Sequence, residues 1–107
     1  DTNQVMKIFQ KGCEEFNEVF HENLINDMQQ IGYNLKRIFI GPLKSIKIAT
    51  NLLLEFVGLN VEENDLSDVT DQNDMSQGMF RALSLLIQIN YNLLTNKSNC
   101  VLITSIK

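Results

Sequence analysis

A long apolar stripe in the first third of the chain constrains the fold most strongly. Between residues 5 and 38, apolar side chains recur every three or four residues, which is the spacing of one face of an α-helix. An unbroken helix over this region would be about 55 Å long at roughly 1.5 Å per residue, too long for a compact domain. The sequence therefore predicts a break, at residues 21–23 or at residues 31–33. The stripe consists of Val5, Phe9, Cys13, Phe16, Phe20, Leu24, Met28, Ile31, Leu35 and Ile38.

A second helix is predicted after the first. Gly41 and Pro42 end the first helical region, because the residue before a proline disfavours helical geometry. Pro42 suits the first turn of a new helix, whose apolar face extends to Val57 and which ends at Gly58.

A third helix is predicted to begin near Asp71 or Asp74 and to end between residues 96 and 99. Its apolar face contains Met75, Met79, Leu83, Leu86, Ile87 and Leu94, broadened by Phe80, Leu85, Ile89 and Leu93. The tail after it has strand-like composition but no predicted strand to pair with, so it is expected to be extended or helical. These elements predict an all-α fold, a compact bundle of four to five helices, with residues 1–107 in a single domain.

Two cysteines, Cys13 and Cys100, lie near opposite ends of the chain. A disulfide between them would join the first helix to the C-terminal end of the bundle and contribute about 4–5 kcal/mol by closing a long loop. The alternative is two buried thiols. The cysteines, a start at Asp1 rather than at Met, and the glycosylation sequon at Asn96 together predict a secreted, extracellular protein.

Charge and hydropathy exclude two classes of function. Thirteen acidic residues outnumber nine basic ones, for a net charge of −4, which disfavours binding to nucleic acid. No apolar run approaches the roughly 18 residues of a membrane span. We therefore expect neither a nucleic-acid partner nor a membrane span.

The sequence indicates no enzyme. His21 is the only histidine, and it is expected to be held by Glu18 and Glu22 on the same helix rather than to act in a catalytic triad. The cysteines lack the spacing of zinc ligands, and no glycine-rich phosphate loop is present. No catalytic residue, metal or cofactor is predicted.

Two charged groups are candidates for binding a partner protein. The first is acidic and is followed by further aspartates; its alternatives are a solvated connection leading into the last helix and, with the wrong spacing for an EF-hand, a calcium site. The second is basic and surrounds residues 41–42. The acidic candidates are Glu62, Glu63, Asp65 and Asp68, and the basic candidates are Lys36, Arg37, Lys44 and Lys47.

Aromatic residues allow two interpretations as well. Phe9, Phe16 and Phe20, with Met28, form either ordinary core or the wall of a cavity for an apolar ligand. The two tyrosines, at positions 33 and 91, are either interface anchors or half-buried edges of the core.

In overall character the chain resembles the small helical salivary proteins of blood-feeding mosquitoes, the albicin and anophensin family. The resemblance rests on the Asp1 start, the apolar stripe, the two later helices and the Cys13/Cys100 pair. It covers the whole chain but includes no specific motif, so it assigns no functional residue.

This resemblance implies a secreted, non-enzymatic inhibitor of a host defence assembly. The implied host plasma partner is the alternative-pathway complement C3 convertase, through C3b or factor B. Two other functions fit a helical bundle, a carrier of a small apolar ligand and a cytokine-like receptor ligand. The oligomeric state is left open by the sequence.

Overall fold

The computed structural model describes residues 2–43 and 57–106, with side chains described for residues 3–43 and 57–97. Two helices and three strands follow one another along the chain in the order α1 (Thr2–Gln30), β1 (Leu35–Pro42), β2 (Val57–Glu63), β3 (Val69–Asp71) and α2 (Gln77–Ile106). The strands form an antiparallel sheet in the order β1-β2-β3. The predicted all-α bundle of four to five helices is therefore wrong, and the fold is α+β.

Helix α1 is bent at Asn17, whose backbone is non-helical with φ 55° and ψ −132°. We call residues 2–16 the first arm and residues 18–30 the second arm. In a straight helix Phe9 and Phe20 would lie about 16 Å apart, whereas their ring centroids are 6.0 Å apart. A break in the stripe was expected, but residues 21–23, one of the predicted positions, are helical.

Helix α1 ends at the other predicted position. The Tyr33 N–H donates to the Met28 carbonyl and the Gly32 N–H donates to the Gln29 carbonyl, which is the hydrogen-bond pattern of a Schellman motif. Gly32 occupies the position of that motif that needs a left-handed backbone, with φ 104°. A glycine adopts this conformation without the steric cost of a Cβ.

The stripe residues after Gly32 belong to strand β1. A β-bulge between Leu35 and Arg37 places two residues of β1 opposite one of β2, so Leu35 and Ile38 are both buried although they are three positions apart. Regular alternation would put residues three apart on opposite faces. The bulge therefore produces a helix-like spacing within a strand, which explains why the first helix was predicted to extend too far.

The predicted second helix is contradicted at both of its ends. Pro42 is the last residue of β1 and Val57, paired with it, is the first residue of β2. Gly58, expected to cap that helix, pairs with Gly41 inside the sheet. The rest of that prediction, residues 44–56 with Lys44 and Lys47, lies outside the described residues.

The third predicted helix is confirmed as α2, with a later start. The Met79 N–H donates to Ser76 Oγ at 3.1 Å, so Ser76 is the N-cap. Asp71 instead accepts hydrogen bonds from the backbone N–H groups of Asn73 and Asp74 and shapes the turn before the helix. Helix α2 continues to Ile106, so the tail is helical rather than extended.

Helix α2 packs against both arms of α1. The Asn90 side chain donates to the Asp27 carboxylate of the second arm at 2.9 Å, and the Tyr91 hydroxyl is 3.2 Å from both carboxylate oxygens of Glu15 in the first arm. One core joins these helices to the sheet; it consists of Val5, Phe9, Phe20, Leu24, Met28, Leu35, Ile38, Leu59, Val61, Met75, Met79, Leu83 and Ile87.

The bend requires a glycine in the first arm, which yields a testable prediction. A Cβ on Gly12 would lie 2.6 Å from the Phe20 ring, and that ring is fully buried. Gly→Ala in a helix normally gains up to about 1 kcal/mol, but overpacking costs about 1–3 kcal/mol. We expect Gly12→Ala to lower the free energy of unfolding, measured by urea denaturation.

Gly78→Ala is the matched control, because a Cβ there would meet only the Tyr33 hydroxyl, at 3.3 Å. It should leave stability unchanged or raise it. Equal stabilisation by both substitutions would contradict the close approach of the two arms.

Candidate functional site

An exposed apolar row runs along α2. Leu85, Ile89 and Leu93 are 58%, 40% and 61% exposed. Successive members are four residues apart, so they follow one another turn by turn along the helix. We call these three residues the α2 stripe.

The α2 stripe lies opposite the buried side of the helix. Leu83 and Ile87 are fully buried, and each is followed two positions later by a stripe residue, Leu85 or Ile89. Residues that are two positions apart in a helix point about 200° away from each other around the helix axis. The stripe therefore points away from the core along its whole length.

Basic residues continue the same spacing at both ends of the stripe. Arg81 lies four residues before Leu85 and Lys97 lies four residues after Leu93, and both are exposed. Helix α2 contains no Asp or Glu, although the chain as a whole carries a net charge of −4. The arrangement is an apolar row with a cation at each end, which is complementary to an apolar groove with carboxylates at its rim.

The sequence predicted the three stripe residues as part of the broad apolar face of the last helix. In the predicted bundle a broad apolar face on the last helix would be buried against further helices. The signal for a surface was present, since Arg81 and Lys97 share the four-residue spacing. Charged residues are almost never fully buried unless they are paired.

The two charged groups predicted to bind a partner meet each other on the sheet. Arg37 and Lys36 lie on β1 and Glu62 lies on β2, directly opposite Arg37. Arg37 Nε donates to Glu62 Oε2 at 2.5 Å, Lys36 Nζ lies 3.8 Å from Glu62 Oε1, and the Arg37 guanidinium also stacks 4.2 Å above the Phe39 ring. Three of the predicted partner-binding residues are thus engaged within the protein.

The rest of the acidic group is dispersed. Glu63 is half-buried at the end of β2, and Asp65 and Asp68 are exposed in the connection between β2 and β3. Asp71, further along, is buried and shapes the turn that follows β3. The acidic segment therefore mixes sheet, turn and surface positions rather than forming one face.

The hydrogen bond from Arg37 lowers the pKa of the Glu62 carboxyl; partial burial opposes this, and the charges of Arg37 and Lys36 add to it. A carboxyl whose pKa is lower in the folded state contributes stability above its unfolded-state pKa and loses it as the pH falls through its folded-state pKa. The ion pair between Arg37 and Glu62 therefore contributes to the stability of the fold at neutral pH, and this contribution is lost in acid.

We accordingly predict that Glu62→Gln lowers the urea midpoint of unfolding at pH 7. The gap, meaning the difference in midpoint between this variant and the unmodified protein, should narrow as the pH falls below about 4. At low pH both side chains are neutral and of similar shape. Asp65→Asn, in the exposed turn, is the control and should show a smaller gap at pH 7. A gap for Glu62→Gln that is independent of pH would contradict the ion pair.

His21 has a structural role that differs from the predicted one. Its Nε2 accepts a hydrogen bond of 3.0 Å from the backbone N–H of Ile38 on β1, rather than being held by Glu18 or Glu22. The contact ties the second arm of α1 to the outer edge of the sheet. An edge strand presents unpaired N–H groups, and His21 satisfies one of them.

Removal of the His21 side chain tests this hydrogen bond between α1 and β1. His21→Ala leaves the Ile38 N–H without its protein partner, and we expect a loss of about 1–2 kcal/mol in the free energy of unfolding. Glu22→Ala, at the adjacent exposed position, should change stability by less than about 0.5 kcal/mol. Equal effects of the two substitutions, measured by thermal or urea unfolding, would be inconsistent with the hydrogen bond.

The predicted cysteine pair is described at one end only. Within the described residues Cys13 has no disulfide partner, and it is half-buried; burial raises the pKa of its thiol, and the neighbouring Glu14 raises it further. The side chain of Cys100 lies outside the described ones, so the disulfide stays a prediction. Asn96, the predicted glycosylation site, is exposed on α2.

The phenylalanines of the α1 stripe and the two tyrosines lie in the core or at its edge. Phe9, Phe20 and Met28 are buried in it, and the half-buried Phe16 packs edge-on against Tyr91 with ring centroids 6.0 Å apart. Tyr33 and Tyr91 are half-buried against the core. Of the two interpretations, the structure supports core for the phenylalanine stripe and core edge for the tyrosines.

Neither a metal site nor a membrane span emerges from the described residues. Among them, no three His, Cys, Asp or Glu side chains come close enough together to hold an ion. The described parts of α1 and α2 likewise contain no stretch long and apolar enough to cross a bilayer.

Comparison with protein-family models, with curated proteins and with solved structures found no match to this chain.

Proposed function

We propose that the protein is a non-enzymatic binding protein that inserts the exposed face of α2 into an apolar groove of a partner protein. The observation that carries the proposal is the α2 stripe, Leu85, Ile89 and Leu93, exposed on a helix whose other side is buried. Apolar anchors at four-residue spacing are the signature of a helix bound in a groove. Burying such a side chain contributes about 1.5–3 kcal/mol relative to leaving it exposed.

The charges define the partner further. Arg81 and Lys97 at the ends of the stripe favour a groove with acidic residues at its ends. All thirteen acidic residues of the chain lie outside α2, whose charged residues are Arg81 and Lys97 alone. An acidic partner would therefore be attracted to α2 and repelled by most of the remaining surface.

We further propose that the protein acts outside the cell and that its partner is a host defence protein. The side chain of Asn96, the predicted glycosylation acceptor, is exposed, which agrees with secretion. The complement convertase came from a resemblance that implied an all-helical bundle, and this chain has a sheet. We therefore treat C3b and factor B as candidates that the binding experiment identifies or eliminates.

The two alternative functions have less support. Phe9 and Phe20 pack directly against each other in the core, and the depression beside the bend, about 690 Å³, opens to solvent, so neither place in the described structure gives a ligand carrier an enclosed apolar cavity. A cytokine-like ligand would use the same exposed face of α2. Identification of the bound partner distinguishes a receptor from a plasma protein.

The test compares capture from mammalian plasma by three immobilised proteins, with mass spectrometry of what is retained. Leu85→Gln combined with Leu93→Gln removes apolar area from the stripe without changing charge or helix propensity, and it should abolish capture while leaving the unfolding midpoint unchanged. The matched control is Val19→Gln combined with Ile31→Gln, because Val19 in α1 and Ile31 in the turn directly after it are 53% and 54% exposed. This control should capture the partner as the unmodified protein does.

Capture that survives the stripe substitutions, or that is lost equally in the control, would contradict the proposal. Recovery of C3b or factor B only when the stripe is intact would identify the alternative-pathway convertase as the target. Recovery of a different stripe-dependent protein would eliminate the convertase while supporting the role of α2.

A further inference from the structure

The bend of α1 is formed by a residue in an unfavourable backbone conformation. Asn17, with φ 55° and ψ −132°, has the geometry of the first central position of a type II′ turn. That position is normally occupied by glycine, and ψ lies outside the left-handed region that asparagine tolerates. Asn17 is exposed, so its side chain is not held there by burial.

The contacts across the bend hold the two arms together. Phe9 packs on Phe20, and Gly12 allows the Phe20 ring to approach the backbone of the first arm. The first arm also reaches α2, where Tyr91 contacts Glu15 and Phe16. These packing contacts compensate for the backbone strain at Asn17.

The sequence around the bend is compatible with a straight helix. The apolar spacing continues through it, from Phe9 through Phe16 and Phe20 to Leu24, and residues 13–31 contain neither glycine nor proline. In a straight helix Phe9 would lie about 16 Å from Phe20 of its own chain. The first arm could then occupy the same surface only on a second copy of the chain.

We propose that α1 straightens at Asn17 and that two copies exchange their first arms, residues 2–16, to form a domain-swapped dimer. Each first arm then packs on Phe20 of the other copy and on the other copy's α2. Every packing contact of the closed form is retained, while the strained residue becomes helical. Exchange of an identical element between protomers adds few new interfaces and is a low-cost route to dimers.

The residue at position 17 determines the balance between the bent monomer and the swapped dimer, and the direction of its effect can be predicted. Asn17→Gly relieves the strain of the closed form and disfavours the straight helix, so both effects favour the monomer. Asn17→Ala has the opposite effects. A dimer contains two such residues, so a change of about tenfold at each one alters the dimer dissociation constant by about a hundredfold.

The experiment refolds the full chain and its variants from denaturant over a range of concentrations and measures mass by light scattering after size exclusion. We expect the dimer to tighten about a hundredfold for Asn17→Ala and to weaken about a hundredfold for Asn17→Gly. Asn26→Ala, at an exposed helical position of the second arm, should match the unmodified protein. If Asn17→Ala does not fold, the weaker dimer of Asn17→Gly alone decides the matter.

Exchange is then distinguished from surface association by isotope-filtered NMR on dimers of labelled and unlabelled chains. Contacts between Phe9 of one chain and Phe20 of the other are expected. Equal dissociation constants for the position-17 variants, a chain that stays monomeric in all of them, or a dimer whose Phe9–Phe20 contacts are within one chain would each overturn the proposal.

Discussion

The contact between Phe20 and the first arm of α1 is the constraint on which the rest of the structure depends. It forms because Gly12 has no side chain and α1 is bent at Asn17. In a straight helix Glu15 and Asp27 would be about 18 Å apart, yet they bind the neighbouring α2 residues Tyr91 and Asn90. The bend therefore gives α2 contacts with both arms.

The surface of the described structure has two parts: in one, the exposed groups have interaction partners within the protein, and in the other they do not. On the sheet, Arg37 is satisfied by Glu62 and by the Phe39 ring, and the Ile38 N–H at the sheet edge is satisfied by His21. On α2, the exposed side chains of Leu85, Ile89 and Leu93 have no such partners in the described structure. A row of exposed apolar residues is typical of a surface that binds another protein, and for that reason we place the proposed function on α2 rather than on the charged residues of the sheet.

Part of this fold could be predicted from the sequence because helical spacing reports burial directly. The spacing identified α2, most of the buried residues of both helices and the helix end near Gly32. The sheet was missed because the bulge after Leu35 gave β1 a three-residue apolar spacing, although the β-branched and aromatic run from Ile38 to Ile40 is typical of a strand. The bend at Asn17 was misplaced because neither glycine nor proline marks it.

The candidate site was predictable in its members but not in its exposure. Sequence spacing assigns Leu85, Ile89 and Leu93 to one face of a helix, but burial of that face depends on which other elements are present. Once residues 35–42 and 57–63 are strands rather than helices, fewer helices remain to cover it. Pairing of Arg37 with Glu62 depends in the same way on strand register, which the spacing of charges along the chain does not encode.

The most direct test of the bent helix is an NMR measurement on dilute, isotope-labelled protein. The structure predicts nuclear Overhauser contacts between the Gly12 α-protons and the Phe20 ring, an interruption of helical chemical shifts at Asn17, and strand-like shifts over residues 35–42. Uninterrupted helical shifts from residue 5 to residue 38, without contacts between Gly12 and Phe20, would contradict it.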